Sequence, residues 1–175
     1  MGTAGQPAGG DIVDVIEQWK SAGETADAAL AAEVLADDAV LISPLTDGFA
    51  FRGREQIREL LVSAFEVLDG IRFDGEVRGD DEVVLFATTT VRGRTLNECQ
   101  RLRLDDSGLI RELTLYMRPL PAVTAFTRAL GPVIARAQGH AGTARVLTAA
   151  GALLDGVASS GDRTFMPMAA PGRSG

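Results

Sequence analysis

Apolar residues follow two different spacings along this chain, helical in the first third and alternating after it. The clearest helical pattern begins after Gly53, where apolar side chains recur at i, i+3, i+4, i+7 and i+11. They are Ile57, Leu60, Leu61, Ala64 and Leu68. Similar spacing predicts two earlier helices, over residues 12–22 and 26–36. A short hairpin with strands over residues 40–42 and 49–51 is predicted between them and the helix after Gly53.

From residue 71 the apolar spacing changes to two, which is typical of half-buried strands. The pattern predicts four strands, over residues 71–77, 83–92, 96–104 and 109–117. Short turns rich in Gly and Asp join them, and such turns connect antiparallel neighbours. Three helices followed by a long antiparallel meander indicate an α+β fold, with helices covering one face of a curved sheet.

Pro119 and Pro121 end the last strand, because proline cannot donate to a sheet ladder. An alanine-rich helix is predicted over residues 122–138, kinked or divided at Pro132. A further helix is predicted over residues 143–157. Its apolar stripe consists of Val146, Leu147, Leu153 and Leu154. These helices could pack on the body, cap it or lie on a membrane, and intramolecular packing is the default hypothesis.

These boundaries predict four regions along the chain. They are a disordered leader (residues 1–10), an α+β body (11–118), a helical extension (119–158) and a flexible tail (159–175).

Composition narrows the possible functions. The 175 residues fit one domain, and the net charge is −7. Residues 1–118 carry a balance of −10 and the rest +3, so the acidic body is not expected to bind nucleic acid. One Cys (Cys99) and one His (His140) exclude an internal disulfide and the usual zinc sites, so we expect no metal or cofactor. With no recognisable signal or membrane-spanning segment, a cytoplasmic location with no membrane partner is expected.

Three sequence segments resemble a known family. LADDAVLISP, FRGREQIRELL and DDSGLIRELTLYMRP, with the strands between them, are similar to the SnoaL-like branch of the nuclear-transport-factor-two-like superfamily. The resemblance covers about residues 11–118. It implies a conical α+β barrel, in which a bent, mainly antiparallel sheet wraps around three helices and encloses a pocket. Ketosteroid isomerases, polyketide cyclases and epoxide hydrolases share this fold, which therefore does not decide the chemistry.

The functional residues of the ketosteroid isomerases do not carry over to this chain. The position of their oxyanion-donating Tyr matches about Ile16, that of the catalytic Asp matches Ser43, and that of the protonated acid matches Gln100. A Ser hydroxyl with no neighbouring His cannot act as the base for proton abstraction, so we do not expect ketosteroid isomerisation. No inward-facing Asp/Arg/Asp set of the epoxide-hydrolase type can be secured from the pattern.

Strand alternation predicts the lining of the implied pocket. If Gln100 points inward, Glu98 does too, and Leu113, Leu115 and Met117 do so on the last strand. The predicted pocket is apolar, with Ile16 and Trp19 from the first helix and three polar groups. Those groups are Ser43, Glu98 and Gln100.

Glu98 is the one carboxylate predicted to face the pocket. If it is desolvated there, its pKa rises and it could act as a general acid or base. The alternative is a structural Glu98, solvated or paired with Arg94. Gln100 could bond a ligand carbonyl or satisfy Ser43.

The opposite strand positions predict a broad, half-polar outer sheet face. It comprises Val84, Phe86, Thr88, Thr90, Cys99, Arg101, Thr114 and Tyr116. A patch of this kind usually marks a protein interface, and the family resemblance implies homodimers formed sheet to sheet.

Three functional hypotheses remain open from the sequence. The first is a pocket for an apolar ligand, of polycyclic or terpenoid type. The second is a cyclase, isomerase or epoxide-opening enzyme using Glu98, and the third is a structural dimerisation module.

Overall fold

The computed structural model describes residues 9–164 and 166–169 and confirms the α+β fold. The helices are α1 (Gly9–Thr25), α2 (Ala28–Glu33), α3 (Arg54–Phe65), α4 (Leu120–Ala137), α5 (Ala141–Thr164) and α6 (Met166–Ala169). The strands are β1 (Leu35–Ile42), β2 (Phe51–Arg52), β3 (Asp69–Arg78), β4 (Glu82–Val91), β5 (Arg94–Leu104) and β6 (Ile110–Arg118). One bent sheet contains all six strands in the order β2-β1-β6-β5-β4-β3, and only the β1–β6 pair is parallel.

The predicted second helix is too long at its C-terminal end. α2 ends at Glu33, and Leu35 already pairs with Ile110 of β6. This parallel pairing, which buries Leu35 completely, overrides the helical propensity of the Leu35-Ala36 step. Asp37, which falls between the predicted second helix and the predicted strand over residues 40–42, lies inside β1 where the pairing with β6 shifts register. It is exposed there and forms an ion pair with Arg54 at 3.0 Å.

The ends of the chain also differ from the prediction. Residues 9 and 10 of the predicted leader begin α1, and residues 1–8 lie outside the described part. α5 continues through residues 159–164 of the predicted flexible tail, and residues 166–169 form α6. Residues 165 and 170–175 lie outside the description. α4 is continuous through Pro132, so the extension is not divided there.

Most of the predicted apolar stripe of α5 does not pack on the body. Val146, Leu153 and Leu154 are between 50% and 71% exposed. Leu147 is the member of the stripe that lies against α4, beside Gly131, and the rest of that contact face is made largely of small and polar residues, with Gly151 and Asp155 buried on it. Small residues allow the two helices to approach closely, and this close packing determined which face of α5 turned inward.

Two hydrophobic clusters hold these layers together. The larger lies between α1–α3 and the concave face of the sheet, with Trp19, Leu35 and Leu113 among its members. The smaller lies beneath α4, where Phe126 and Leu130 pack against neighbours that include Ala64 of α3 and strands β4 and β5. α4 therefore covers the open end of the cone. No helix in the described ranges is both long and apolar enough to span a membrane.

Candidate functional site

A cavity of about 180 Å³ lies between the concave face of the sheet and the helices. Its walls come from α1, α3, the concave side of β5 and β6, the loop after β1, and α4. Almost all of the lining is apolar side chain. Phe49 is the one exposed member of the lining, so the opening to solvent lies at the loop between β1 and β2.

The structure brings most of the sequence-predicted site residues together in this wall. They are Trp19, Ser43, Glu98, Gln100, Leu113, Leu115 and Met117. Ile16 is the exception, because it is fully buried in the larger hydrophobic cluster and does not line the cavity. It lies almost one turn before Trp19 on α1, and its side chain packs in the core between helices and sheet.

A buried hydrogen bond links the first helix to the floor of the cavity. Trp19 Nε1 donates to Gln100 Oε1 at 2.7 Å, across 81 residues of chain. Ser43 Oγ is used differently, since it accepts from the backbone N–H of Leu45 at 3.1 Å within the loop after β1. Gln100 therefore satisfies Trp19 rather than Ser43.

Glu98 occupies the neighbouring inward position on β5. The residues paired with Glu98 on the adjacent strands are Ala87 and Met117, and neither carries a charge. Burial raises the pKa of Glu98 to about 7, and hydrogen bonding by the Gln100 side chain acts in the opposite direction. A carboxyl group with a pKa near neutral can donate or accept a proton at physiological pH.

The alternative pairing of Glu98 with Arg94 is not formed. Arg94 donates to Ser159 Oγ at 2.8 Å and lies 3.8 Å from Asp155, both on α5. This leaves Glu98 facing the cavity with Gln100 as its polar neighbour.

α4 supplies a wall of the cavity; capping by the C-terminal helices was one alternative from the sequence, but none of the α4 residues was predicted to belong to the site. Phe126, Thr127, Leu130, Gly131 and Ile134 all line the cavity from this helix. Their spacing follows one face of a helix, and that periodicity was visible in the sequence. The sequence did not indicate what this face of α4 packs against, because the contact joins segments far apart in the chain.

The comparisons with known proteins agree with this architecture. The family model of the SnoaL-like domain matches residues 16–113, which is more than half of the chain. The chain therefore belongs to the SnoaL-like family. No curated protein sequence matches it significantly.

Solved structures show the same fold. A steroid delta-isomerase from Pseudomonas aeruginosa superposes with a TM-score of 0.69 at 20% identity, covering 77% of this chain and 99% of that one. A bacterial protein with a cystatin-like fold from Silicibacter pomeroyi gives a TM-score of 0.66 at 20% identity, covering 74% of this chain and 93% of that one. A structure described as a SnoaL-like polyketide cyclase from Jannaschia gives 0.57 at 19% identity, covering 71% and 97%. At these identities the similarity establishes the fold alone.

Proposed function

We propose that this protein binds an apolar small molecule in the cone cavity, with one polar group of the ligand meeting Glu98 and Gln100. The observation that carries this proposal is the cavity itself, which is almost wholly apolar apart from that one polar end. Ligand sites commonly combine an apolar wall with a few placed polar groups. Structural relatives described as an isomerase and a cyclase are consistent with a small-molecule pocket.

Filling the cavity tests this proposal. Ala64 lines the cavity from α3 and is 9% exposed, whereas Val62, on the same helix, is 49% exposed and lies outside the cavity wall. We expect Ala64→Phe to abolish binding of 4-ethylphenol in isothermal titration calorimetry, and Val62→Phe to leave it unchanged. Circular dichroism establishes that each variant is folded. Equal binding by Ala64→Phe and the parent chain would place the ligand elsewhere and refute the proposal.

A second candidate function is proton-transfer catalysis of the cyclase, isomerase or epoxide-opening type, with Glu98 as the acid or base. Its support is the carboxyl group with a pKa of about 7 in an apolar wall. The test does not require the natural substrate, because 2-methylcyclohexanone serves as a probe. NMR measures how fast deuterium from D2O replaces hydrogen at the carbon next to its carbonyl group. Catalysis predicts exchange by the parent chain and none by Glu98→Gln, while binding of the ketone stays nearly the same. Equal exchange by both would exclude Glu98 as the catalyst.

We also propose a homodimer formed through the outer sheet face. Phe86 and Tyr116 are 42% and 55% exposed on that face, and Cys99 lies half-buried between them on β5. Exposed aromatic groups on one surface are typical of protein interfaces. Light scattering after size-exclusion chromatography should give twice the 18.4 kDa chain mass, and Tyr116→Glu should give the chain mass. A parent chain that elutes as a single copy would contradict the dimer.

A further inference from the structure

The cavity is small for the polycyclic ligands that the sequence suggested. Its volume is about 180 Å³. An engineered apolar cavity of about 150 Å³ is known to take up benzene, a single six-membered ring. The space behind the opening therefore suits one ring with a short substituent, about ten non-hydrogen atoms at most. A molecule of four fused rings exceeds it.

α4 sets this size limit. The family match ends at Leu113, and α4 begins at Leu120, so this wall belongs to the extension beyond the matched segment. Phe126 and Leu130 are both nearly fully buried and occupy space at the open end of the cone. Ile134, half-buried, lies one turn further along the same wall.

α5 holds α4 in this position. A Cβ atom on Gly151 of α5 would lie 2.9 Å from Cα of Arg128, so the two helix backbones are already in close contact. Arg128 also bonds the buried Asp155 carboxylate at 3.1 Å. Asp155 and Ser159 in turn contact Arg94 at the start of β5, which ties α5 to the sheet. These contacts hold α4 against α5, and α5 against the sheet.

We propose that α4 acts as a size filter and that the ligand is a single-ring compound carrying one hydroxyl or carbonyl group. Such a group can donate to or accept from the Glu98 and Gln100 side chains while the ring fills the apolar space between β6 and α4. This inference rests on the proposed small-molecule function and narrows the ligand class to monocyclic molecules.

A ligand series tests the size limit by calorimetry. The series is phenol, 4-ethylphenol, 2-naphthol and oestradiol, each of which carries a phenolic or equivalent aromatic hydroxyl. For the parent chain we expect the affinity to rise from phenol to 4-ethylphenol, to fall for 2-naphthol and to be undetectable for oestradiol. Oestradiol binding as tight as that of 4-ethylphenol would overturn the size limit but keep the small-molecule function. Failure of all four to bind would overturn the proposed function itself.

Widening the wall provides the matched comparison. Ile134→Ala enlarges the cavity, and Leu120→Ala removes an apolar side chain that is 65% exposed on the same helix. Ile134→Ala removes three carbon atoms from the wall, and one methylene group in a pocket is worth about tenfold or more. We therefore expect Ile134→Ala to tighten 2-naphthol binding at least about tenfold and Leu120→Ala to have no effect. If Ile134→Ala does not change the ranking of the series, α4 is not the filter. The parent-chain series remains decisive if a variant does not fold.

Discussion

Replacing Glu98 with Gln should remove a specific pH dependence of stability. The pKa of Glu98 is about 7 in the folded chain and has an ordinary value of 4.5. Between these values the folded state keeps a proton that the unfolded state has released, so the free energy of unfolding falls as the pH rises from 4.5 to 7. At roughly 1.4 kcal/mol per pH unit, the loss amounts to about 3 kcal/mol, and it is complete above the folded pKa.

Glutamine has the shape of the protonated acid but does not titrate, so the variant avoids this loss. Urea unfolding at equal protein concentration, from pH 4 to pH 8.5, measures the difference between the two chains. We expect equal free energies of unfolding near pH 4 and an advantage of about 3 kcal/mol for Glu98→Gln at pH 8. Glu66→Gln, at an exposed position after α3, controls for the loss of one surface charge. A difference between Glu98→Gln and the parent chain that does not change with pH would refute the buried, proton-holding carboxyl.

Three further substitutions test the contacts around the cavity. Trp19→Phe leaves the buried carbonyl oxygen of Gln100 without its donor and should cost about 1–3 kcal/mol in urea unfolding; no loss would mean that this hydrogen bond does not matter. Asp155→Ala should lower the free energy of unfolding by about 2 kcal/mol. This value lies between those of exposed and buried ion pairs, because Arg94 and Arg128, which pair with Asp155, are partly solvated. Gly151→Ala forces α5 away from Arg128 and should lower the melting temperature; an unchanged melting curve would contradict the close contact.

The helical and alternating patterns predicted the elements whose partners are near in sequence. The third helix was predicted to follow Gly53, and α3 runs over Arg54–Phe65. The predicted first strand, residues 40–42, is shorter than β1. The pairing of β1 with β6 joins segments about 75 residues apart, such as Leu35 and Ile110. Local propensity carries no information about such a partner, and the buried pairing outweighs it.

The same distinction applies to the site. Alternation along β5 placed Glu98 and Gln100 on one face, and both are buried at the cavity. The ligand-binding or catalytic roles of these residues stay predictions. The Trp19–Gln100 hydrogen bond was not predicted, and a cap formed by α4 was one of three open alternatives for the C-terminal helices, because each depends on how distant elements pack in three dimensions.

Methyl NMR tests the central claim, an apolar ligand inside the cone, most directly. The chain is labelled at Leu methyl groups and titrated with 4-ethylphenol. We predict saturable shifts of Leu113, Leu115 and Leu130, which line the cavity, and none of Leu153, which is 71% exposed on α5. Shifts confined to Leu153, or no shift at any cavity methyl up to the solubility limit of the phenol, would contradict the claim.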